Sequence, residues 1–188
     1  SSRRRHTRYR RSSRGLGDVY KRQLKSHRRL WPNWSPPRQE TVLATLHPQL
    51  ANDCLLLGRF ELCRLLLMRD ANYPWCILVP DREDVTEIHK LSEADQQQLL
   101  RESSQLSRAM ETVFEPDKLN IAALGNVVPQ LHIHHIARYQ NDPAWPAPVW
   151  GRVAAKPYTD ELLGSTTRSL LSGLSNGFTP DAGRVCEA

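Results

Sequence analysis

Short apolar blocks bounded by turn-forming residues occupy the middle of the chain. Leu62–Met68 and Trp75–Val79 are two such blocks, and Arg69-Asp70-Ala71-Asn72-Tyr73-Pro74 between them is dense in turn formers. This arrangement predicts two neighbouring strands of an antiparallel sheet, with Pro80-Asp81 ending the second. A helical period follows. Leu99, Leu106, Met110 and Val113 are spaced by seven, four and three residues. Ser92 with an acid three positions on at Asp95 reads as an N-cap, and Glu115-Pro116-Asp117 as a stop, so a long helix is predicted from Ser92 to about Phe114. Leu119–Leu124 then reads as a buried strand, Gly125-Asn126 as a turn and Leu131–Ala137 as a further strand. Strand, strand, helix, strand, strand is an α+β layout: an antiparallel β-sheet with one long helix packed on it. Upstream, Val42, Leu43, Leu46 and Leu50 are loosely helical in spacing.

The pattern fades towards both ends, which predicts a domain over 41–160 flanked by a basic, disordered tail or linker over 1–40 and a disordered tail over 161–188. Residues 1–23 have almost no apolar content and no usable period, the mark of a segment that cannot pack. They look like translated sequencing-adapter DNA joined to a reading frame. A nucleic-acid-binding arm and a basic transit segment are the competing readings. Residues 141–151 are rich in Pro and contain Trp145 and Trp150. An ordered extended arm is expected there, since two indoles would otherwise be left in water.

Charge sharpens this division. The formal net charge is +6, but residues 1–40 hold 13 Lys/Arg and 2 Asp/Glu, net +11, while the remaining 13 Lys/Arg and 18 Asp/Glu leave the body at −5. A nucleic-acid or membrane partner inferred from the overall charge would therefore rest on the tail alone, and nucleic acid is disfavoured as the partner of the body. No apolar run reaches the roughly eighteen residues that a membrane span needs, and no apolar segment follows the basic N-terminus to make a secretory signal. The four cysteines, Cys54, Cys63, Cys76 and Cys186, show no CxxC spacing. They read neither as a zinc site nor as a disulfide framework, and a reducing cytoplasmic setting is expected.

Candidate chemistry concentrates in Gln130-Leu131-His132-Ile133-His134. Strand residues alternate faces, so Gln130, His132 and His134 share one side while Leu131, Ile133 and His135 share the other, with Leu131 and Ile133 towards the core. Two imidazoles and an amide on one patch can supply a nucleophile, a general base or metal ligands near neutral pH. An incidental pair of strand histidines is the bland alternative. A metal site is the sharper one, since His-x-His on a strand gives two ligands and would need a third from His89, Asp70 or Glu83.

In this order of elements, the segment Leu62–Arg138 resembles a histidine-triad (HIT) domain. Gln130-Leu131-His132-Ile133-His134-His135-Ile136 is similar to the family pattern H-x-H-x-H-x-x, with Gln in the first position. The resemblance implies that His132 attacks the α-phosphorus of a nucleotide to give a covalent nucleotidyl-histidine, which water or another acceptor then releases. It implies that His134 orients His132 or binds phosphate oxygens, and that Gln130 donates a hydrogen bond to a phosphoryl oxygen without transferring a proton. Asp70 falls where the family holds the ribose hydroxyls, and Asn126 resembles an asparagine near the phosphates. Two departures stand out. Only Val127-Val128-Pro129 separate Asn126 from Gln130, where the family has a longer glycine-containing loop. The basic and histidine residues that commonly follow the second strand's proline are replaced by Asp81-Arg82-Glu83-Asp84.

The resemblance thus implies a nucleotide phosphoester or phosphoanhydride hydrolase, or a nucleotidyl transferase, with no cofactor. Its substrate would be a dinucleoside polyphosphate or nucleoside phosphoramidate, and a homodimer paired through the sheet edge is expected. The departures keep two alternatives open: a non-catalytic nucleotide-binding module, and a metal-dependent enzyme using the His-x-His strand as ligands.

Overall fold

The computed structural model describes residues 44–174 and 177–181. The elements run α1 (Pro48–Asp53), β1 (Cys54–Arg59), β2 (Cys63–Met68), β3 (Trp75–Pro80), a short 3-10 turn (Ile88–Lys90), α2 (Glu93–Phe114), β4 (Lys118–Ala122), β5 (Ile133–Arg138), α3 (Asp160–Gly173) and β6 (Thr179–Pro180). The strands form one antiparallel sheet in the order β4-β5-β3-β2-β1-β6. The α+β reading, with its long helix, is the observed architecture.

The hairpin of β2 and β3 closes where the turn formers predict it. Asp70 Oδ1 accepts from the Asn72 N–H at 3.0 Å, an Asx turn that reverses the chain. The long helix begins as its cap requires, with Ser92 Oγ accepting from the Asp95 N–H at 3.1 Å, and ends at Glu115 in the left-handed region. Its inward stripe is Leu99, Leu106 and Met110, joined by Ala109 and by a buried Glu102. The Glu102 carboxylate accepts from the backbone N–H groups of Leu62 and Cys63, which pins the helix to the start of β2.

Both faces of the sheet are covered. Under α2 and α3 lie Leu65, Cys76, Leu78, Ile133 and Ala137; on the opposite face Leu66, Trp75, Ile77, Val79 and Ile136 pack with Leu50 of α1 and with Ala144 and Val149. That second face carries the candidate chemistry.

Several expectations need correction. Residues 161–174 and 177–181 do not form a disordered tail. Thr159 caps α3, Leu170 of α3 is fully buried, and Gly173 lets α3 approach α2 so closely that a Cβ there would meet Val113 at 2.9 Å. The stripe Leu163, Leu170, Leu174 was too short and too rich in Ser, Thr and Gly to reveal this from periodicity. The basic tail expected over 1–40 and the adapter-like 1–23 lie outside the described residues, as do Val42 and Leu43. The loose helix upstream is confined to Pro48–Asp53, with Leu46 outside it. β1 was not foreseen, because Cys54–Leu57 ends in Gly58-Arg59. The glycine is required there: a Cβ on Gly58 would lie 2.3 Å from the Thr179 carbonyl oxygen of β6. β4 is an edge strand rather than a buried one, with Ile121 52% exposed. The Pro- and Trp-rich arm is ordered as expected, but as a run of turns instead of an extended segment, with Ala144 and Val149 as its buried anchors. Among the described residues no helix is long and apolar enough to cross a membrane.

Candidate functional site

His132 lies just ahead of the β5 ladder and His134 is its second residue, paired with Ile77 of β3. The ladder starts at Ile133, two positions later than the predicted strand, yet the alternation holds. The two rings sit on the same side with centroids 4.9 Å apart and planes at 81°. Leu131 and Ile133 point into the core, as the two-residue period requires. Both histidines are 6% exposed, so little water screens what they do.

Their hydrogen bonds fix which nitrogen is available. Nδ1 of His132 is 2.7 Å from the backbone oxygen of Gln130. A carbonyl can only accept, so Nδ1 carries the proton and Nε2 keeps its lone pair. His134 has the opposite tautomer: the Trp75 indole N–H donates to its Nδ1 at 3.0 Å, so neutral His134 carries its proton on Nε2. Burial first, then the neighbouring His132 and His135, push the His134 imidazolium down to about 3. Within one ring spacing the site therefore offers a nitrogen lone pair and a neutral N–H donor.

His135 is turned to the other face. Its Nδ1 is 3.2 Å from the Ile133 carbonyl and must donate to it, so its Nε2 accepts from the Ser103 hydroxyl at 2.7 Å. Burial holds it down to about 4, and it serves as a satisfied core histidine beneath α2.

Gln130 reaches the site through its backbone. Its amide is turned to the incoming chain: Oε1 accepts from the His47 N–H at 2.8 Å and Nε2 donates to the Thr45 carbonyl at 3.0 Å. The same incoming strap is held by Glu83, which accepts from the Thr45 N–H, and by Arg64, which donates to the Ala44 carbonyl. Arg64 is in turn ion-paired to Asp81 at 2.5 Å, and Arg59 to the same carboxylate at 2.6 Å. The acidic run after β3 thus fastens the strap.

Asn126 is brought alongside His132. Together with Thr86, Glu87, Gly125 and Gln130 they line an open polar cleft of about 210 Å³. Asp70 is not brought there. It is 6% exposed and accepts from Asn72 and from the Lys156 backbone N–H, tying the β2–β3 turn to the C-terminal arm. That turn lies beyond the Trp75–Ile136 end of the β3–β5 ladder, whereas His132 precedes its Leu78–Ile133 end. The metal reading lacks its third ligand: among the described residues no three His, Cys, Asp or Glu side chains are grouped to hold an ion.

Two site residues were not foreseen. Trp75 seemed only the first residue of an apolar strand, and Trp150 only part of a Pro-rich arm. In space Trp75 and Trp150 both lie edge-on to His134, at centroid distances of 5.5 and 5.3 Å, and to each other at 5.6 Å. The sole sequence signal was the cost of leaving an indole in water, which argues for burial but names no partner.

The comparisons with known proteins bear on this geometry. The HIT domain family matches residues 49–141. A histidine-triad protein of Marinobacter aquaeolei is 52% identical, with 70% of this chain and 96% of that one covered and a TM-score of 0.68. A histidine-triad protein of Bradyrhizobium japonicum is 44% identical over 71% and 99% of the two chains, with a TM-score of 0.70. One from Sinorhizobium meliloti is 39% identical over 71% and 98%, with a TM-score of 0.69. No curated protein matches the sequence.

Proposed function

The chain belongs to the histidine-triad family, whose members are generally nucleotide hydrolases or transferases, and from that premise we propose that it cleaves nucleotide phosphoesters, phosphoanhydrides or phosphoramidates through a nucleotidyl group carried on His132. The observation that carries this reading is the pair of opposite tautomers. The His132 Nε2 lone pair attacks the α-phosphorus; a P–N bond forms and the bond to the leaving group breaks. The leaving group departs with the electron pair and takes a proton from solvent or a neighbouring acid. Water then attacks the same phosphorus, releases the nucleoside monophosphate and returns the lone pair to Nε2. In this reading His134 Nε2–H donates to a phosphoryl oxygen as charge builds on it. Asn126 in the adjoining cleft is a second donor. Asp70 Oδ1 holds the β2–β3 turn and the Lys156 N–H.

The testing experiment is to quench the protein during turnover of an adenosine 5′-phosphoramidate and map the adenylylated residue. An adduct on His132, lost in His132→Ala, is expected. Turnover that survives His132→Ala and is removed by a chelator would transfer the reading to metal chemistry. One observation favours the non-catalytic alternative: the Gln130 amide is spent on the strap instead of facing the phosphates. Tight nucleotide binding with no adduct and no turnover would establish it.

The homodimer expected of the family would cover the outer edge of β4. Among the described residues that edge is unpaired, and between it and α2 runs a groove of about 460 Å³ lined by Ile88, Leu99, Leu100, Ser103, Ile121 and Ile133. Two antiparallel β4 strands would complete each other's hydrogen bonding. Work in a reducing cytoplasm agrees with the buried, unpaired thiols of Cys54, Cys63 and Cys76, which burial pushes up, the first and last to about 12.

A further inference from the structure

The two histidines face chemically different surroundings. His132 opens on the polar cleft of Thr86, Glu87, Asn126 and Gln130, whereas His134 is walled by the indoles of Trp75 and Trp150. We infer that Trp150 is the platform on which the nucleobase of the substrate rests, so that the nucleoside lies on the indole side of the site and the leaving group in the polar cleft. The inference rests on His132 being the nucleotidyl acceptor.

Trp75 is unsuited to this task. It is 5% exposed, and its N–H is committed to His134. Trp150 is only half-buried and makes edge contacts at 74° to His134 and 89° to Trp75, so neither neighbouring ring is stacked parallel on it. Its backbone is anchored next door by Val149, which is 4% exposed, and followed by Gly151 in the left-handed region with open space around it. An indole held in place by its neighbours, with surface left open beside a phosphorus-binding group, suits a flat aromatic ligand. His132, His134 and Trp150 succeed one another with ring centroids 4.9 and 5.3 Å apart, which puts the indole one ring beyond the histidine pair. Stacking on a single indole is tolerant of sequence but grows with ring area, so a purine should be preferred to a pyrimidine.

The test compares turnover of adenosine, uridine and base-free ribose 5′-phosphoramidates that share one amine leaving group. In the full chain, Trp150→Ala should lower kcat/KM for the adenosine compound by about ten- to a hundred-fold, the range that a lost base stack gives. The base-free compound should lose several-fold less than the adenosine compound, so the adenosine preference collapses. Trp150→Phe should keep most of that preference. Because the preference is a ratio measured on one preparation, partial unfolding of a variant cancels out. Trp150→Ala lowering all three substrates equally, or leaving the ratio intact, would overturn the platform and make Trp150 a packing residue for His134. Failure of the premise has its own signature: the wild type would turn over none of the three and yield no His132 adduct. Equilibrium binding of adenosine and uridine monophosphates to the wild type and Trp150→Ala then still decides the platform.

Discussion

Trp75 donates its indole N–H to Nδ1 of His134 at 3.0 Å, across the β3–β5 ladder that also pairs Trp75 with Ile136. One bond thereby decides which nitrogen of neutral His134 carries the proton. In water the two neutral tautomers interconvert freely; here the form with a proton on Nε2 is selected before any ligand arrives.

Trp75→Phe keeps the ring but removes that donor. The substitution should leave the fold intact and free Nδ1 to take the proton, which turns Nε2 from donor to acceptor. Loss of a donor aimed at developing phosphoryl charge should lower kcat by about 10²–10³-fold. Nitrogen chemical shifts of the His134 ring, followed alongside the rate, check the cause. A full rate with an altered tautomer would remove His134 from the transition state.

Acid should destabilise the fold through two of its buried histidines. His134 is held down to about 3 and His135 to about 4, mainly by burial, against an ordinary value near 6.5. Between those limits the unfolded chain binds two protons that the folded chain does not. The stabilisation is therefore complete above about pH 6.5 and is lost as pH falls towards 4 and then 3. Urea midpoints measured at pH 7.5 and 5 should show the decrease. His134→Gln, which cannot titrate, should reduce the slope, and an unchanged slope would mean that the ring is protonated in the folded protein.

Gln130 shows what a sequence reveals and what it withholds. The two-residue period placed its side chain on the His132 side and the core residues Leu131 and Ile133 on the other; both core residues are buried as it requires, but the ladder starts only at Ile133 and the Gln130 amide turns to the strap. Period-based reasoning likewise found the β2–β3 hairpin and the helix with its Ser92 cap, because these are local. It could not find the incoming strap at 44–47, since that contact joins residues more than 80 apart through one amide. Trp75 and Trp150 were hidden for the same reason: they meet His134 only through sheet register and the path of an irregular arm. The turn role of Asp70 was hidden as well, because a turn aspartate and a ligand-binding aspartate look alike until their partners are seen.

The strap gives Gln130→His a sharper outcome than a restored motif alone suggests. An imidazole cannot reproduce both bonds, to the His47 N–H and to the Thr45 carbonyl, in the same plane. The variant should keep the His132 orientation, which depends on the backbone oxygen of residue 130, and so keep adduct formation. Amide hydrogen exchange at His47 should rise. Gln130→Ala should show the same exchange increase. Protection of His47 unchanged in both would mean that Arg64 and Glu83 hold the strap without the amide.

The polar cleft also discriminates between leaving groups by charge. Its lining residues are Thr86, Glu87, Ala123, Leu124, Gly125, Asn126, Gln130, Leu131 and His132, with an acid among them and no Lys or Arg. A departing nucleoside polyphosphate brings several negative charges and would enter beside the Glu87 carboxylate, in a body that is itself net negative. An amine leaving group brings none. Like-charge juxtaposition is penalised more in a partly enclosed cleft than in open water, although Glu87 is exposed and salt will weaken its effect. Adenosine phosphoramidates should therefore be turned over with higher kcat/KM than dinucleoside polyphosphates, and the gap should narrow as ionic strength rises. Glu87→Lys reverses the local charge without touching either histidine. It should raise kcat/KM for the polyphosphate by about ten-fold at low salt, the factor equivalent to about 1.4 kcal/mol, and leave the phosphoramidate nearly unchanged. A variant that accelerates both substrates alike, or neither, would show that the leaving group departs by another route and that the cleft beside Asn126 does not receive it.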